Sequence, residues 1–246
     1  MTAPLAAYNF DEESGAILDL SGNGLDIPFA PPAVRAAGHT DLGLVQTGTG
    51  VFLGPAGYAA DLLTPNRTIM AWIKDEISIT GWVFEFWSAA INSGIWGILF
   101  LSSQWHIQAR NASSLARASI ARPTDSQWHH FAGTYDGANV RAYFDGVLAA
   151  TVPLAGPLRT DGDEFRVQDN SSTSLTTDDV RYFDVALSQA EIVSLMNTPV
   201  TGGRSGKPKV WDGSTWSPRQ AKLWNGSSWD NVTISGYDGG QWTTSK

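Results

Sequence analysis

No cysteine occurs among the 246 residues. Disulfides and thiolate metal sites are therefore excluded, and stability must come from core burial, a hard metal ion or assembly. Long apolar runs are missing too, with none approaching the roughly 20 residues that a membrane-crossing helix needs. The opening MTAPLAAYNFDEE has no basic region followed by an apolar stretch, so no signal peptide is expected and synthesis in a cytoplasm is. Cations are scarce over most of the chain: residues 1–200 hold 10 Lys and Arg against 21 Asp and Glu, and residues 201–246 hold 6 against 3. An acidic body lacks the clustered Lys and Arg that grip phosphates, so nucleic acid is not an expected partner. Phosphate loops, His-Glu-x-x-His, Gly-x-Ser-x-Gly and nucleotide fingerprints are absent as well.

What is present is period-2 alternation punctuated by Gly, Asn, Asp and Pro. TIMAWIK (68–74), WVFEFW (82–87), GILFLS (97–102), WHIQAR (105–110), HHFAGTYD (129–136), VRAYFDG (140–146) and VRYFDVAL (180–187) all read as strands. Asp136-Gly137 and Asp145-Gly146 supply the positive φ angles of tight hairpin turns, so successive antiparallel strands are expected around them. A short helix is expected in LSQAEIVSLMN, where Ser188 and Glu191 form a capping-box pair ahead of Ile192 and Leu195. The stretch TPVTGGRSGKPK (198–209) has the composition of a solvated linker. It divides an all-β body, 1–199, from a C-terminal unit, 200–246.

Three ordered stretches carry a family resemblance. DSQWHHFAGTYDGANVRAYFDGVL (125–148) resembles the central signature of laminin G-like, concanavalin A-like jelly rolls. AAYNFDEESGAILDLSGNGLDI (6–27) looks like that family's first strand and following loop, and DDVRYFDVALSQAEI (178–192) like its closing strand and helix. The resemblance implies a two-sheet antiparallel jelly-roll sandwich of about a dozen strands, followed here by a small unit of β-hairpin repeats. Trp72, Trp128, Phe131, Tyr135 and Tyr143 are then mostly packing residues. His129 and His130, adjacent on a strand, point to opposite faces and do not chelate one ion. The resemblance also implies calcium at the sandwich edge, with Asp19 and Asn23 of DLSGNG and Asp178 of DDVRYF as the ligands. For those two loop residues the residue-level alternative is an Asx-type turn.

Glycanases share this fold, but glycoside hydrolysis needs two carboxyls across a scissile bond. WVFEFW brings Glu85 alone, and Asp163-Glu164 reads as part of a Gly-Asp turn, so no catalytic residue is assigned and an enzyme is not expected. Trp82, Trp87, Trp96 and Trp105 are the candidate ligand-binding aromatics, because exposed indole faces stack on sugar rings.

The chain ends in a repeat. Residues 209–242 write aromatic-[Asp/Asn]-Gly-x-x-Trp three times at thirteen-residue spacing, starting at Trp211, Trp224 and Tyr237. Each Asp-Gly or Asn-Gly suits a tight turn that brings Trp211 to Trp216, Trp224 to Trp229 and Tyr237 to Trp242. Fewer than fifty residues bury little surface alone, so these six aromatics are expected to serve assembly, giving a homo-oligomer. The repeats resemble the ends of tail and other virion proteins from phages of actinobacteria. That resemblance implies a protein of the virion surface, a minor tail or decoration protein with virion neighbours and a possible cell-surface glycan as partners.

Overall fold

A computed structural model describes residues 2–12, 15–28, 33–46, 52–54, 62–75, 81–101, 103–167, 175–201, 209–211, 216–218, 222–224, 229–231, 233–238 and 241–245. Among the described residues, fourteen strands build the body. They are β1 Ala6–Tyr8, β2 Ala33–Ala37, β3 Leu42–Gln46, β4 Phe52–Leu53, β5 Arg67–Asp75, β6 Gly81–Ser88, β7 Ser93–Leu101, β8 Gln104–Arg110, β9 Leu115–Ala121, β10 Trp128–Tyr135, β11 Asn139–Phe144, β12 Val147–Pro153, β13 Glu164–Val167 and β14 Leu175–Phe183. Helix α1, Gln189–Met196, follows. One sheet runs β12-β11-β10-β5-β14-β3-β2 with β1 also paired to β14, and the other runs β4-β13-β6-β7-β8-β9. Every pairing is antiparallel, and the two sheets stack as a jelly-roll sandwich.

The turn chemistry explains the β10-β11-β12 meander. Asp136 Oδ1 accepts the Ala138 and Asn139 N–H groups at 3.0 and 2.8 Å, while Asp145 and Gly146 both take the positive φ that a two-residue hairpin loop demands. Between the sheets, Phe84, Phe86, Trp96, Ile98, Trp105 and Ile107 meet Ile69, Ala71, Phe131 and Val140 in one core. Trp105 stacks on Phe131 from the opposite sheet at 3.9 Å between ring centres. Each fully buried apolar side chain of this kind contributes about 1.5–3 kcal/mol relative to exposure.

A second cluster covers the outer face of the larger sheet. Met70, Ala132, Tyr143 and Phe183 pack there against Leu187, Ile192 and Leu195 of α1 and its approach. The helix starts where expected: Ser188 Oγ accepts the Glu191 N–H, and the Glu191 side chain accepts the Ser188 N–H. Trp72 and Trp128 depart from full burial. Both are half-buried, and His39 lies parallel to Trp72 at 3.7 Å between ring centres.

The C-terminal strands are β15 Lys209–Trp211, β16 Trp216–Pro218, β17 Lys222–Trp224, β18 Trp229–Asn231, β19 Thr233–Asp238 and β20 Gln241–Ser245. They pair in order as three two-stranded units, with Trp211 opposite Trp216, Trp224 opposite Trp229 and Tyr237 opposite Trp242 in backbone register. The turn pairs Asp212-Gly213 and Asn225-Gly226, together with Gly239 and the linker 202–208, lie outside the described residues.

Candidate functional site on the outer face of the six-stranded sheet

Antiparallel register decides which side chains of the smaller sheet share a face, because residues directly opposite one another point the same way. Arg166 pairs with Glu85, Glu85 with Gly97, Gly97 with Gln108, and Gln108 with Arg117. These five positions form one row across β13, β6, β7, β8 and β9. Flanking rows join Trp82, Leu99, His106 and Ser119 on one side, and Glu164, Trp87 and Gly94 on the other. Phe84, Phe86, Trp96, Ile98, Trp105 and Ile107 occupy the opposite face and belong to the core. Charged and amide side chains therefore cluster on the outward side of a sheet whose inner side is apolar.

Local bonds hold the row in place. Arg166 bonds Glu164 Oε2 through Nε at 2.7 Å, reaches Glu85 Oε1 at 3.4 Å, and lays its guanidinium 4.1 Å from the Trp87 ring centre. Such a cation over an indole face adds about 0.5–2 kcal/mol and fixes the ring. Glu85 itself is fully buried despite its charge. Gln108 donates from Nε2 to the Gly94 carbonyl and accepts from Arg117 Nε, both at 2.8 Å. His106 bonds Ser119 Oγ through Nδ1 at 2.8 Å, and burial lowers its pKa, which keeps the ring neutral near pH 7.

Two glycines shape the floor. At Gly94 an added Cβ would collide with Glu85 Oε2 and with the Trp82 ring, whose Cη2 is 2.8 Å away. The indole edge and the carboxylate thus meet over bare backbone. At Gly97, in the middle of the row, any side chain is barred by the neighbouring strand. The row therefore carries no side chain between Glu85 and Gln108.

The four candidate tryptophans separate cleanly. Trp82 and Trp87 are half-buried on the outer face, whereas Trp96 and Trp105 are 0% and 1% exposed inside the core. The latter two correct the sequence reading: register turns them inward, so they contribute packing and offer no ligand surface. Glu164 is a second correction. It does not sit in a turn but opens β13, because the Asp163 N–H donates to the Trp87 carbonyl at 2.8 Å and Asp163 Oδ2 accepts the Ala89 N–H at 2.7 Å. Glu164, Arg166, Gln108, Arg117, His106 and Ser119 were missed as site residues. The polar phase of WHIQAR is the signal in the sequence that points to two of them.

The expected calcium ligands lie elsewhere. Asp19 accepts four bonds, from the Ala7, Ser21 and Leu25 N–H groups and the Ser21 hydroxyl, at 2.8–3.1 Å. Asn23 donates its amide to the Leu5 carbonyl at 2.9 Å. Asp178 instead accepts the Thr40 and Asp179 N–H groups at 2.9 and 2.7 Å, and burial followed by repulsion from Asp179 pushes it up to about 8. As placed, each of these three residues makes hydrogen bonds of its own. Among the described residues, no three His, Asp or Glu side chains are grouped to hold a metal. His129 and His130 likewise diverge: the first bonds Asp125 and Asp145 at 3.0 and 2.8 Å, and the second is buried.

Solved structures share this architecture at low identity. The binding domain of Paraclostridial Mosquitocidal Protein 1 superposes with a TM-score of 0.65 at 10% identity, covering 98% of this chain and 73% of that one. The binding domain of Botulinum Neurotoxin DC, in complex with SialylT, gives 0.62 at 14%, covering 84% of this chain and 53% of that one. This chain thus spans about half the length of that toxin domain. Domain 4 of an extracellular arabinanase from Geobacillus stearothermophilus, in complex with arabinotriose, gives 0.55 at 17%, covering 78% and 97%. No curated protein matches the sequence. Residues 49–193 do match the family model Laminin_G_3, and with more than half of its length covered, the chain belongs to the concanavalin A-like lectin/glucanases superfamily.

Proposed function

We propose that the chain is a non-enzymatic binding module whose jelly roll takes a glycan or host surface across the outer face of the six-stranded sheet. In this reading it is a phage virion surface protein, a minor tail or capsid decoration protein made in the host cytoplasm. Its C-terminal repeats join it to copies of itself and to other virion proteins. The virion context rests on the resemblance of those repeats. The binding role rests on one observation: Trp82 and Trp87 are half-exposed on the same face as an ordered row of carboxylate, amide and guanidinium groups. Indole faces stack on sugar rings, while the partly exposed Glu164, Arg166 and Arg117 take the hydroxyls and the buried Glu85 and Gln108 hold two of them in place. The similar domains bound to SialylT and to arabinotriose support a sugar as ligand.

Hydrolysis is not part of the reading. A glycosidase needs one carboxyl to protonate the leaving oxygen and another to act as nucleophile or base. Here Glu85 and Glu164 are both engaged by the same Arg166 guanidinium, on one side of the row, rather than set apart across a cleft. Neither is positioned as the acid. A purely structural virion role is the second reading, favoured by the repeats alone.

A glycan array with a host-cell-wall pull-down decides between the two. On any glycan that binds, Trp82→Ala and Trp87→Ala are expected to weaken affinity on the order of tenfold or more with the fold intact by circular dichroism. Undiminished binding by both variants overturns the site, and absence of all glycan binding favours the structural role. Truncation after Pro199 tests the tail. The body is expected to stay folded but to lose assembly in sedimentation, and an unchanged assembly state removes that role.

A further inference from the structure

The ion pairs of this face are unevenly distributed. At the β13-β6 end, Arg166 is held between two carboxylates, so negative charge prevails there. At the β8-β9 end the balance is reversed. Gln108 pairs with Arg117 and Arg110 with Leu115 in register, which makes Arg110 and Arg117 diagonal neighbours on the same outward face. Neither guanidinium has a carboxylate partner among the described residues, although the protein carries a net charge of −8. Arg117 is held by the Gln108 amide oxygen at 2.8 Å, and Arg110 Nε is buried with no hydrogen-bond partner.

Like charges set side by side repel, and an unpartnered guanidinium that loses water has given up hydration without an acceptor in return. Both conditions are relieved by an anion. Arg117 feels them directly: burial and then the neighbouring Arg110 charge lower its pKa. The guanidinium fork matches a planar or tetrahedral oxyanion, through two parallel N–H donors. Along the row, Gln108 bonds Gly94, whose bare backbone lies under the Trp82 ring. From β6 to β9 there are three strand spacings, about 14 Å. An oligosaccharide lying across the strands therefore spans from the tryptophans to the arginines.

We propose that Arg110 and Arg117 receive the acid group of an anionic sugar, a uronate carboxylate or a sulfate ester, while Trp82 and Trp87 take its neighbouring rings. This rests on the sheet-face reading above and narrows it to acidic glycans. It also fixes a polarity: the acid group goes to the β8-β9 end, away from Glu85 and Glu164.

The experiment is calorimetry of the full chain with tetragalacturonate, with its methyl ester, and with a sulfated disaccharide and its desulfated form. The charged form of at least one pair is expected to bind tenfold or more tighter than its neutral counterpart, and which pair discriminates names the acid group. Arg110→Gln combined with Arg117→Gln is expected to bring that ratio close to one. Arg110→Gln alone, which breaks no hydrogen bond among the described residues, is expected to lower it severalfold. Equal binding of charged and neutral forms overturns the proposal and leaves the sheet-face reading standing. A ratio unchanged in the double variant, whose fold is checked by its melting curve, overturns it too. If no sugar of either kind binds, the acidic-glycan proposal falls, and the sheet-face reading is decided by the glycan array.

Discussion

Replacing Gly97 by alanine is expected to destabilise the body by about 3–5 kcal/mol, combining strain at a positive φ with overpacking between strands. Gly97 has φ +150, and a Cβ there would lie 2.9 Å from the Phe84 carbonyl carbon and the Glu85 Cα, and closer still to the Phe84 oxygen. Those are backbone atoms of the adjacent strand, so no rotamer change relieves the collision. Either β6 and β7 part or the chain twists locally, and in both cases Glu85 and Gln108 lose their register. Against a total stability of about 5–15 kcal/mol for a domain this is a large share. Urea unfolding followed by tryptophan fluorescence checks it. A midpoint corresponding to less than 1 kcal/mol of loss would show that the strands accommodate the methyl group and that the missing side chain in the row is not enforced.

The second large effect is acid sensitivity at His130. Its ring is wholly enclosed on β10, edge-on to Trp72 at 5.4 Å, and neither ring nitrogen has a hydrogen-bond partner. Burial, with the positive charges of Arg181 and His39 behind it, pushes the imidazole down to about 3. In the unfolded chain the group titrates near 6.5. Below that pH the unfolded state binds a proton that the folded state refuses. The contribution is thus complete above about pH 6.5 and falls progressively as the pH drops toward 3. The loss is about 2 kcal/mol by pH 5.

Other groups near this sheet have the opposite slope. Asp178, raised to about 8, destabilises the fold as pH rises from the ordinary carboxylate range toward that value. His129, raised by Asp145 and Asp125, loses its contribution as pH rises through its folded value. The informative quantity is therefore a difference. His130→Leu is expected to be about 1–2 kcal/mol more stable than the parent at pH 7, since it removes unsatisfied nitrogens from an apolar site. The gap should widen by about 2 kcal/mol at pH 5. A gap that stays constant with pH in urea titrations would mean that protons or water reach the ring.

Much of this architecture was legible from the chain. Asp136-Gly137 and Asp145-Gly146 gave the meander through their φ requirements, and Ser188 with Glu191 gave the helix start. In WHIQAR the strict alternation already separates Trp105 and Ile107 from His106, Gln108 and Arg110. Strands β2 and β3 were missed, because AVRAA and LGLVQ are short and hold little polar contrast to mark a period.

Alternation and turn residues determined by themselves that this chain forms antiparallel strands followed by three paired-aromatic units, because those signals act between neighbours in sequence; the two-sheet sandwich came from the resemblance of three ordered stretches. The tertiary structure alone decided which tryptophans face outward. Trp96 lies in the apolar run GIWGILF, where both faces look alike until β7 is paired on each side. It also decided that Glu164, Arg166, Glu85, Gln108 and Arg117 lie together on one face of the sheet. Five residues from five strands, spread over residues 85–166, meet only through hydrogen-bonded register. A one-residue slip in any of those ladders would send its member of the row to the opposite face.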